Sequence, residues 1–454
     1  MALKVSVAQR RALLVERQLL GAPGGSVAGV TSTLVALHAT DPVTVYLSAW
    51  ARSRCAVADV DAALYESRAV VRMLGMRRTV FVVPAALAGV VQAACTDDIA
   101  ARLRRQLVKD LAGGGIGNGD PGAWLRALED AVLRALAARG GGAAGAQLSA
   151  DEPLLRTQLV YAPDKSYGGA ANITSRVLTL IAAEGRMIRG HRRGGWSSGQ
   201  FEWFLPEAWL RAHGHQAPAA RDGDGDGPGS REPGPDAGAA DAVGRPAPGG
   251  SADSAGSGLD AGVVAGDAGP VPAAGLGARL DAGVARAELA RRWLRVFGPA
   301  PATDLQWWAG WTGAQTKAAL AALPAVEVDL DGQAGIALAD DLSFPAGPPP
   351  VAALLPALDP APMGWQSRAW YLGPHTPPLF DRTGNIGPTV WWEGRVVGGW
   401  AQRPSGEVVC RLLEDIGADG AAAVSAEASA LETWLGASRV TPRFRTPLER
   451  ELSA

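Results

Sequence analysis

Cysteine is nearly absent from the 454-residue chain: Cys55, Cys95 and Cys410 stand far apart. Such spacing excludes a disulfide scaffold and any Cys-x-x-Cys metal site, and it points to a reducing, intracellular compartment. Lysine is as scarce, with only Lys4, Lys109, Lys165 and Lys317, so basic chemistry here is arginine chemistry. No run of about 20 apolar residues is present, which excludes a membrane-spanning helix of the usual kind. The segment Met1–Ser6 lacks the charged start and long apolar stretch of a signal peptide. A cytoplasmic location is therefore expected. Net charge is also lacking: 19% of residues are charged and the formal sum is −2. A uniformly basic, tail-type nucleic-acid binder is excluded, and any anion-binding surface must come from local clusters of arginine. His213 and His215 have no cysteine or acidic partner at ligand spacing. No metal and no organic cofactor is expected.

What is present is apolar mass. Hydrophobic side chains make up 47% of the chain, enough for a sizeable core divided over two to four domains. One stretch cannot join that core. Residues 214–282 include RDGDGDGPGS and SADSAGSG, and no aromatic residue occurs between Trp209 and Trp293. So little apolar area cannot offset the entropy of ordering, and a disordered insertion is expected. Shorter breaks lie at Gly140–Gly145 and at the proline-rich Pro345–Pro350.

The rest divides into four ordered blocks. Residues 1–138 open with helical patterns at Ala8–Leu20, Ser26–His38 and Thr44–Arg54, then turn to strand-like runs at Ala69–Met73 and Thr79–Val83 around Gly75. Residues 146–213 hold a helix over Asn172–Glu184, ended by Gly185, and strand-like runs Met187–Arg189 and Phe201–Phe204. Residues 283–344 repeat the logic. A helix over Glu288–Phe297 is followed by a short one that Thr303 or Asp304 can cap, and by a helix over Gly313–Leu323. A hairpin then turns on Asp331-Gly332. Helix, turn, helix, hairpin is the winged-helix order. Residues 351–454 alternate apolar and polar positions as an antiparallel meander does, with a helix over Ser425–Leu435. The fold class expected is mainly α with α+β elements: tandem winged-helix domains plus a C-terminal antiparallel β-domain.

Winged helices present either a DNA-shaped surface or a protein-docking one. Arginine clustering favours DNA. The loop GHRRGGWSSGQ brings Arg189, Arg192, Arg193, Trp196 and Ser197 together in a glycine-rich setting suited to phosphate contact, and Trp196 can stack on a base or pack against the wing. Arg72, Arg77 and Arg78 flank Gly75, as DNA contacts or as strand-edge charges. Arg382 and Asn385 lie with Asp381 in a Gly/Pro-rich loop, reading equally well as a backbone contact or a self-bonded turn.

Three stretches carry a resemblance: LVALHATDPVTVYLSAWAR at 34–52, MLGMRRTVFVVP at 73–84, and LFDRTGNIGPTVW with RVVGGW at 379–400. Together they resemble the tandem winged-helix DNA glycosylases of the AlkZ/YcaQ type, over nearly the whole chain except 214–282. The resemblance implies excision of bulky N7-alkylated purines, including those in interstrand crosslinks. That family carries Gln-x-Gln or Gln-x-Asp after its second helix. The matching positions here read His38-Ala39-Thr40, a divergent His-x-Thr form.

An N7-alkylpurine is cationic and already a good leaving group, so the enzyme must stabilise an oxocarbenium-like sugar and place a water at C1′. Neutral His38 can accept the water proton, Thr40 can hold the same water, and Asp41 can orient His38 or supply negative charge. The other reading makes His38 a helix C-terminal residue and Thr40 or Asp41 the cap of a helix begun by Pro42. With no lysine beside the motif, a monofunctional, water-using enzyme is expected, acting as a monomer on double-stranded DNA with alkylated bases. The rival is a non-catalytic winged-helix DNA-binding protein, a transcription factor or lesion-binding module. A protein-interaction scaffold is the third class.

Overall fold

The computed structural model describes residues 3–161, 169–211 and 280–454. The stretch 214–282 lies outside them except for its last three residues, and so do His213 and His215.

Strand β1 (Leu3–Lys4) leads into helix Val7–Arg17, which Ser6 and Gln9 open with reciprocal side-chain-to-backbone bonds. The helix expected over Ser26–His38 is half that length. It runs Val27–Thr33 under a Ser26 cap, and the chain leaves it through Val35 in the left-handed region (φ +68°). Residues Leu37–His38 are strand β2 instead, because Val82 and Phe81 offer them a sheet edge. Asp41-Pro42 starts helix Pro42–Ser53, with Asp41 Oδ1 accepting from Val43 N at 3.2 Å and a proline where no donor is needed. Strands β3 (Val70–Leu74) and β4 (Val80–Pro84) form a hairpin, giving the antiparallel order β2-β4-β3.

Helices Asp97–Gly113 and Pro121–Ala138 pack against the next block of the chain. Leu107, Leu111, Leu125 and Val132 share a core with Leu148, Val177, Ile181 and Trp203. The break at Gly140–Gly145 contains β5 (Ala143–Ala144), which pairs with β9 (Phe201–Phe204). Between them lie helix Gly145–Asp151, the two-stranded hairpin β6 (Gln158–Tyr161) and β7 (Gly169–Asn172), helix Thr174–Ala183, and strand β8 (Ile188–Arg192), the sheet order being β5-β9-β8.

Three helices, Ala282–Phe297, Ala302–Ala309 and Gly313–Ala321, precede the antiparallel pair β10 (Ala325–Leu330) and β11 (Gln333–Leu338). Asp331 and Gly332 both take positive φ (+53° and +90°), as a two-residue hairpin turn demands. Asp304 does not cap the middle helix. That helix starts earlier, after Pro301, and the buried Asp304 Oδ1 accepts from Gln366 N and Ser367 N. Strand β1 joins β10 in parallel, tying the start of the chain to this hairpin.

Strands β12 (Ala352–Leu355), β13 (Thr389–Trp392), β14 (Arg395–Gln402) and β15 (Val408–Leu412) form a four-stranded antiparallel meander, with helix Gly417–Leu435 against it. One apolar cluster runs from Leu14 and Tyr46 through Trp293 and Phe297 to Trp391 and Leu435. Within it Arg52 and Asp359 form a bidentate, fully buried ion pair (2.7 and 2.8 Å), with Ser48 donating to the same carboxylate. Helix Pro42–Ser53 is thereby fixed to the C-terminal block, and the segment just before it, which carries His38 and Thr40, takes its position from that join.

Candidate active site

His38 sits at the end of β2, opposite Phe81 of β4. Its ring meets Phe81 edge to face (centroids 5.1 Å apart) and the residue is 5% exposed. Burial pushes its pKa down to about 3, and the nearby charge of Arg77 pushes the same way. The imidazole is therefore neutral at any physiological pH. Thr40 N approaches Nδ1 at 3.5 Å, a long contact that favours Nδ1 as acceptor and puts the ring proton on Nε2. Thr40 Oγ1 is sealed from solvent without a partner among the described residues. The carbonyl of Thr40 accepts from Arg443 Nη1 at 3.4 Å.

Asp41 does not orient His38. One carboxylate oxygen caps helix Pro42–Ser53 and the other accepts from Arg443 N at 2.8 Å. Both oxygens serve the helix start and the C-terminal segment, so Asp41 braces the motif from behind.

The β3–β4 turn delivers the charge that His38 feels. Arg77 and Arg78 both adopt left-handed backbone (φ +51° and +63°), rare for non-glycine residues and costly in succession. The turn is seated on Gly310, where a Cβ would come within 3.0 Å of Arg77 N. The Arg77 guanidinium lies 3.9 Å from the centroid of Trp307, with Nε sealed and without a partner among the described residues. Its pKa is pushed down to about 10, by burial first and then by Arg368. Arg368 lies over the same indole at 5.0 Å and over Phe380 at 5.1 Å.

From Arg77 and Arg78 opens a cleft of about 1010 Å³, walled by helices Asp97–Gly113, Thr174–Ala183 and Gly313–Ala321. Arg102, Arg105, Lys109 and Arg176 line it with Asp98. Arg102, Arg105 and Lys109 are exposed and make no ion pair among the described residues, whereas Arg176 is paired with Asp110. Positions 102, 105 and 109 fall on one face of their helix. That spacing is legible in the sequence, but it draws less notice than the arginines of the glycine-rich loops. Nothing in the sequence places Arg368 beside Arg77, or Arg443 on Thr40.

The loop arginines are otherwise engaged. Arg192 is paired with Asp61 and donates to Tyr46 Oη. Arg189 lies within β8, stacked over Phe201 and Trp203 (5.2 and 5.3 Å), and its pKa is pushed down to about 10 by burial and by Arg72. Arg72 on β3 lines the same small crevice as Arg189, its Nε sealed. Trp196 is not free to stack on a base: it packs on Tyr46 and Trp434 (5.2 and 5.7 Å) and donates to Ser438 Oγ at 3.2 Å. Arg193 and Ser197 are exposed at the loop tip, Arg193 within 3.4 Å of Gln147 Oε1. Asn385 closes a turn by donating to Asp381 and Thr383, and Arg382 stands exposed on that turn. Among the described residues no group of three or more His, Cys, Asp or Glu is placed to hold a metal, and no helix is long and apolar enough to cross a membrane.

A family model described as DNA glycosylase AlkZ-like matches residues 31–434. The solved structure of the DNA glycosylase AlkZ of Streptomyces sahachiroi superposes with a TM-score of 0.62 at 19% identity, over 97% of this chain and 100% of that one. At that identity the likeness is one of fold. No curated protein matches the sequence.

Proposed function

The chain belongs to the AlkZ-like family of DNA glycosylases, and on that footing we propose that it is a monofunctional hydrolase of alkylated, bulky N7-substituted purines, interstrand crosslinks included. The observation that carries the reading is the neutral His38, next to Thr40 and under the charge of Arg77, which itself walls an arginine-lined cleft. The helical blocks with their hairpins are read as winged helices whose shared basic face, from Arg78 to Lys109, holds double-stranded DNA by its phosphates.

The reaction breaks the C1′–N9 bond, its electron pair returning to the cationic purine, which leaves neutral, and forms a C1′–O bond to water, whose surplus proton passes to bulk solvent. His38 holds that water; it does not take its proton. A ring whose conjugate acid lies near pKa 3 is a weak base. A cation-like transition state needs placement above all, which a neutral Nε2–H and the Thr40 hydroxyl supply. A neutral group also avoids repelling the cationic purine and the sugar cation. Repair in the cytoplasm, by a monomer, as general maintenance or as self-protection against one alkylating toxin, fits this chemistry.

The test is base release from duplexes carrying N7-methylguanine, a bulky N7 adduct or an N7–N7 crosslink. His38→Ala is expected to lower single-turnover release on the order of a hundredfold or more with DNA affinity kept, and Thr40→Ala about tenfold. Release from none of the substrates, with tight and salt-sensitive binding, would leave a non-catalytic DNA binder. Release that does not depend on His38 would move the chemistry away from that residue.

A further inference from the structure

We propose that Arg77 and Arg368, held together on the Trp307 indole, form a two-guanidinium clamp for a single phosphodiester group of the strand that lies against His38. The inference rests on the reading that this site acts on DNA.

Two like charges share one indole here. Arg77 lies 3.9 Å and Arg368 5.0 Å from the same ring centroid, on chain segments almost 300 residues apart. Neither makes an ion pair among the described residues. Arg77 has no side-chain hydrogen-bond partner there, and Arg368 donates Nε to Trp365 O (3.0 Å), makes a weak Nη2 contact (3.9 Å) with Met363 S and lies beside the Tyr371 hydroxyl. Each repels the other, since Arg368 is among the causes that lower the pKa of Arg77. Such an arrangement costs free energy in the unliganded protein, offset in part by the indole. The left-handed backbone at Arg77 and Arg78, and the close approach to Gly310, add to that cost. Strain and repulsion stored at one spot fit a site completed by an anion. Two forked donors brought to one indole from distant segments can each take one of the paired non-bridging oxygens of a phosphodiester. Arg77 is also the cation whose charge His38 feels, and a wall of the basic cleft. The phosphate it grips therefore belongs to the strand entering the site, next to the nucleotide whose C1′ meets His38.

The experiment is a chemical double-mutant cycle on binding. A duplex carries a 2′-fluoro-stabilised N7-methylguanine, and uncharged methylphosphonates replace the neighbouring phosphates one at a time. Wild-type protein is expected to lose about tenfold in affinity at one position. Arg77→Met and Arg368→Met are expected to bind about as weakly from the start and to lose nothing further at that position, while penalties elsewhere persist. Arg368→Lys, which keeps the charge but not the fork, is expected to recover only part of the loss. The wild-type scan needs no variant to fold. Penalties that add in full to each substitution at every position, or an Arg368→Met protein that binds as wild type, would overturn the clamp. Because the readout is affinity alone, a positive cycle alongside no base release from the N7-methylguanine, bulky-adduct and crosslinked duplexes that lack the 2′-fluoro group would sink the hydrolase reading and leave the clamp standing.

Discussion

Burial dominates the state of His38. With its pKa near 3, the folded chain keeps the ring neutral, while the unfolded chain protonates it around its ordinary 6.5. Between those values the unfolded state binds more protons, so stability from His38 is complete above pH 6.5 and drains away as pH falls toward 3. Urea denaturation at pH 7 and pH 5 should show a smaller loss for His38→Gln than for wild type. An equal loss in both would mean that the ring titrates normally and is open to solvent. Base release, in turn, should be flat from pH 5 to 8 with respect to His38, because no ionisation of that ring falls in the range. Thr40 belongs at this scale too: its hydroxyl is sealed without a partner among the described residues, an arrangement that stability alone gives no reason to keep.

At the scale of elements, the motif owes its shape to three short pieces. Strand β2 holds His38 on Phe81, the Asp41 cap begins the next helix, and the β3–β4 turn brings Arg77 alongside. Asp41→Ala removes both the cap and the anchor of Arg443, and should cost about 1–2 kcal/mol in chemical denaturation. Asp41→Asn should recover part of the cost through the cap alone. Gly310→Ala should do more damage at the site than its size suggests. A Cβ there meets the Arg77 backbone at 3.0 Å, and φ of +74° strains any side chain. The expected result is a loss of about 1 kcal/mol or more in stability together with weakened DNA binding. Unchanged binding would show that the turn adapts freely. The helix that periodicity extends to His38 illustrates a limit of pattern reading. Ser26 to Thr33 reads helical, but a buried sheet edge outcompetes the next turn, and one residue's backbone at Val35 makes the switch.

Across the whole molecule, two features decide what the site can do. The first is the Arg52–Asp359 pair, with no exposed side-chain surface on either partner. Removing one charge leaves the other stranded, so Asp359→Asn should destabilise by about 3–5 kcal/mol, measured by urea unfolding. The double change Arg52→Met with Asp359→Leu should recover much of that. The second is the basic wall at Arg102, Arg105 and Lys109. Replacing all three with glutamine should flatten the dependence of log affinity on log salt by about 2–3 units while leaving His38-dependent chemistry intact at saturating DNA. No change in slope would place the DNA elsewhere.

Local chemistry written in the chain was enough for the order of helices and hairpins, for the Asp331-Gly332 and Asp41-Pro42 punctuation, for the antiparallel C-terminal meander, and for the family that the stretches around His38-Ala39-Thr40 resemble, although that triplet itself departs from the family's Gln-x-Gln or Gln-x-Asp. These depend on neighbours in sequence: caps, turns and alternating burial act within a few residues. The use of each arginine was not legible in that way. Arg189, Arg192 and Trp196 read as a free basic loop, yet Phe201, Asp61 and Trp434 claim them across the fold. Arg368 and Arg443, unremarkable in sequence, arrive at the site from far along the chain. A guanidinium is a long, promiscuous donor whose partner is whatever acid, carbonyl or aromatic face packing brings within reach. Only the tertiary structure decides which arginines are spent on holding the protein together and which are left for DNA.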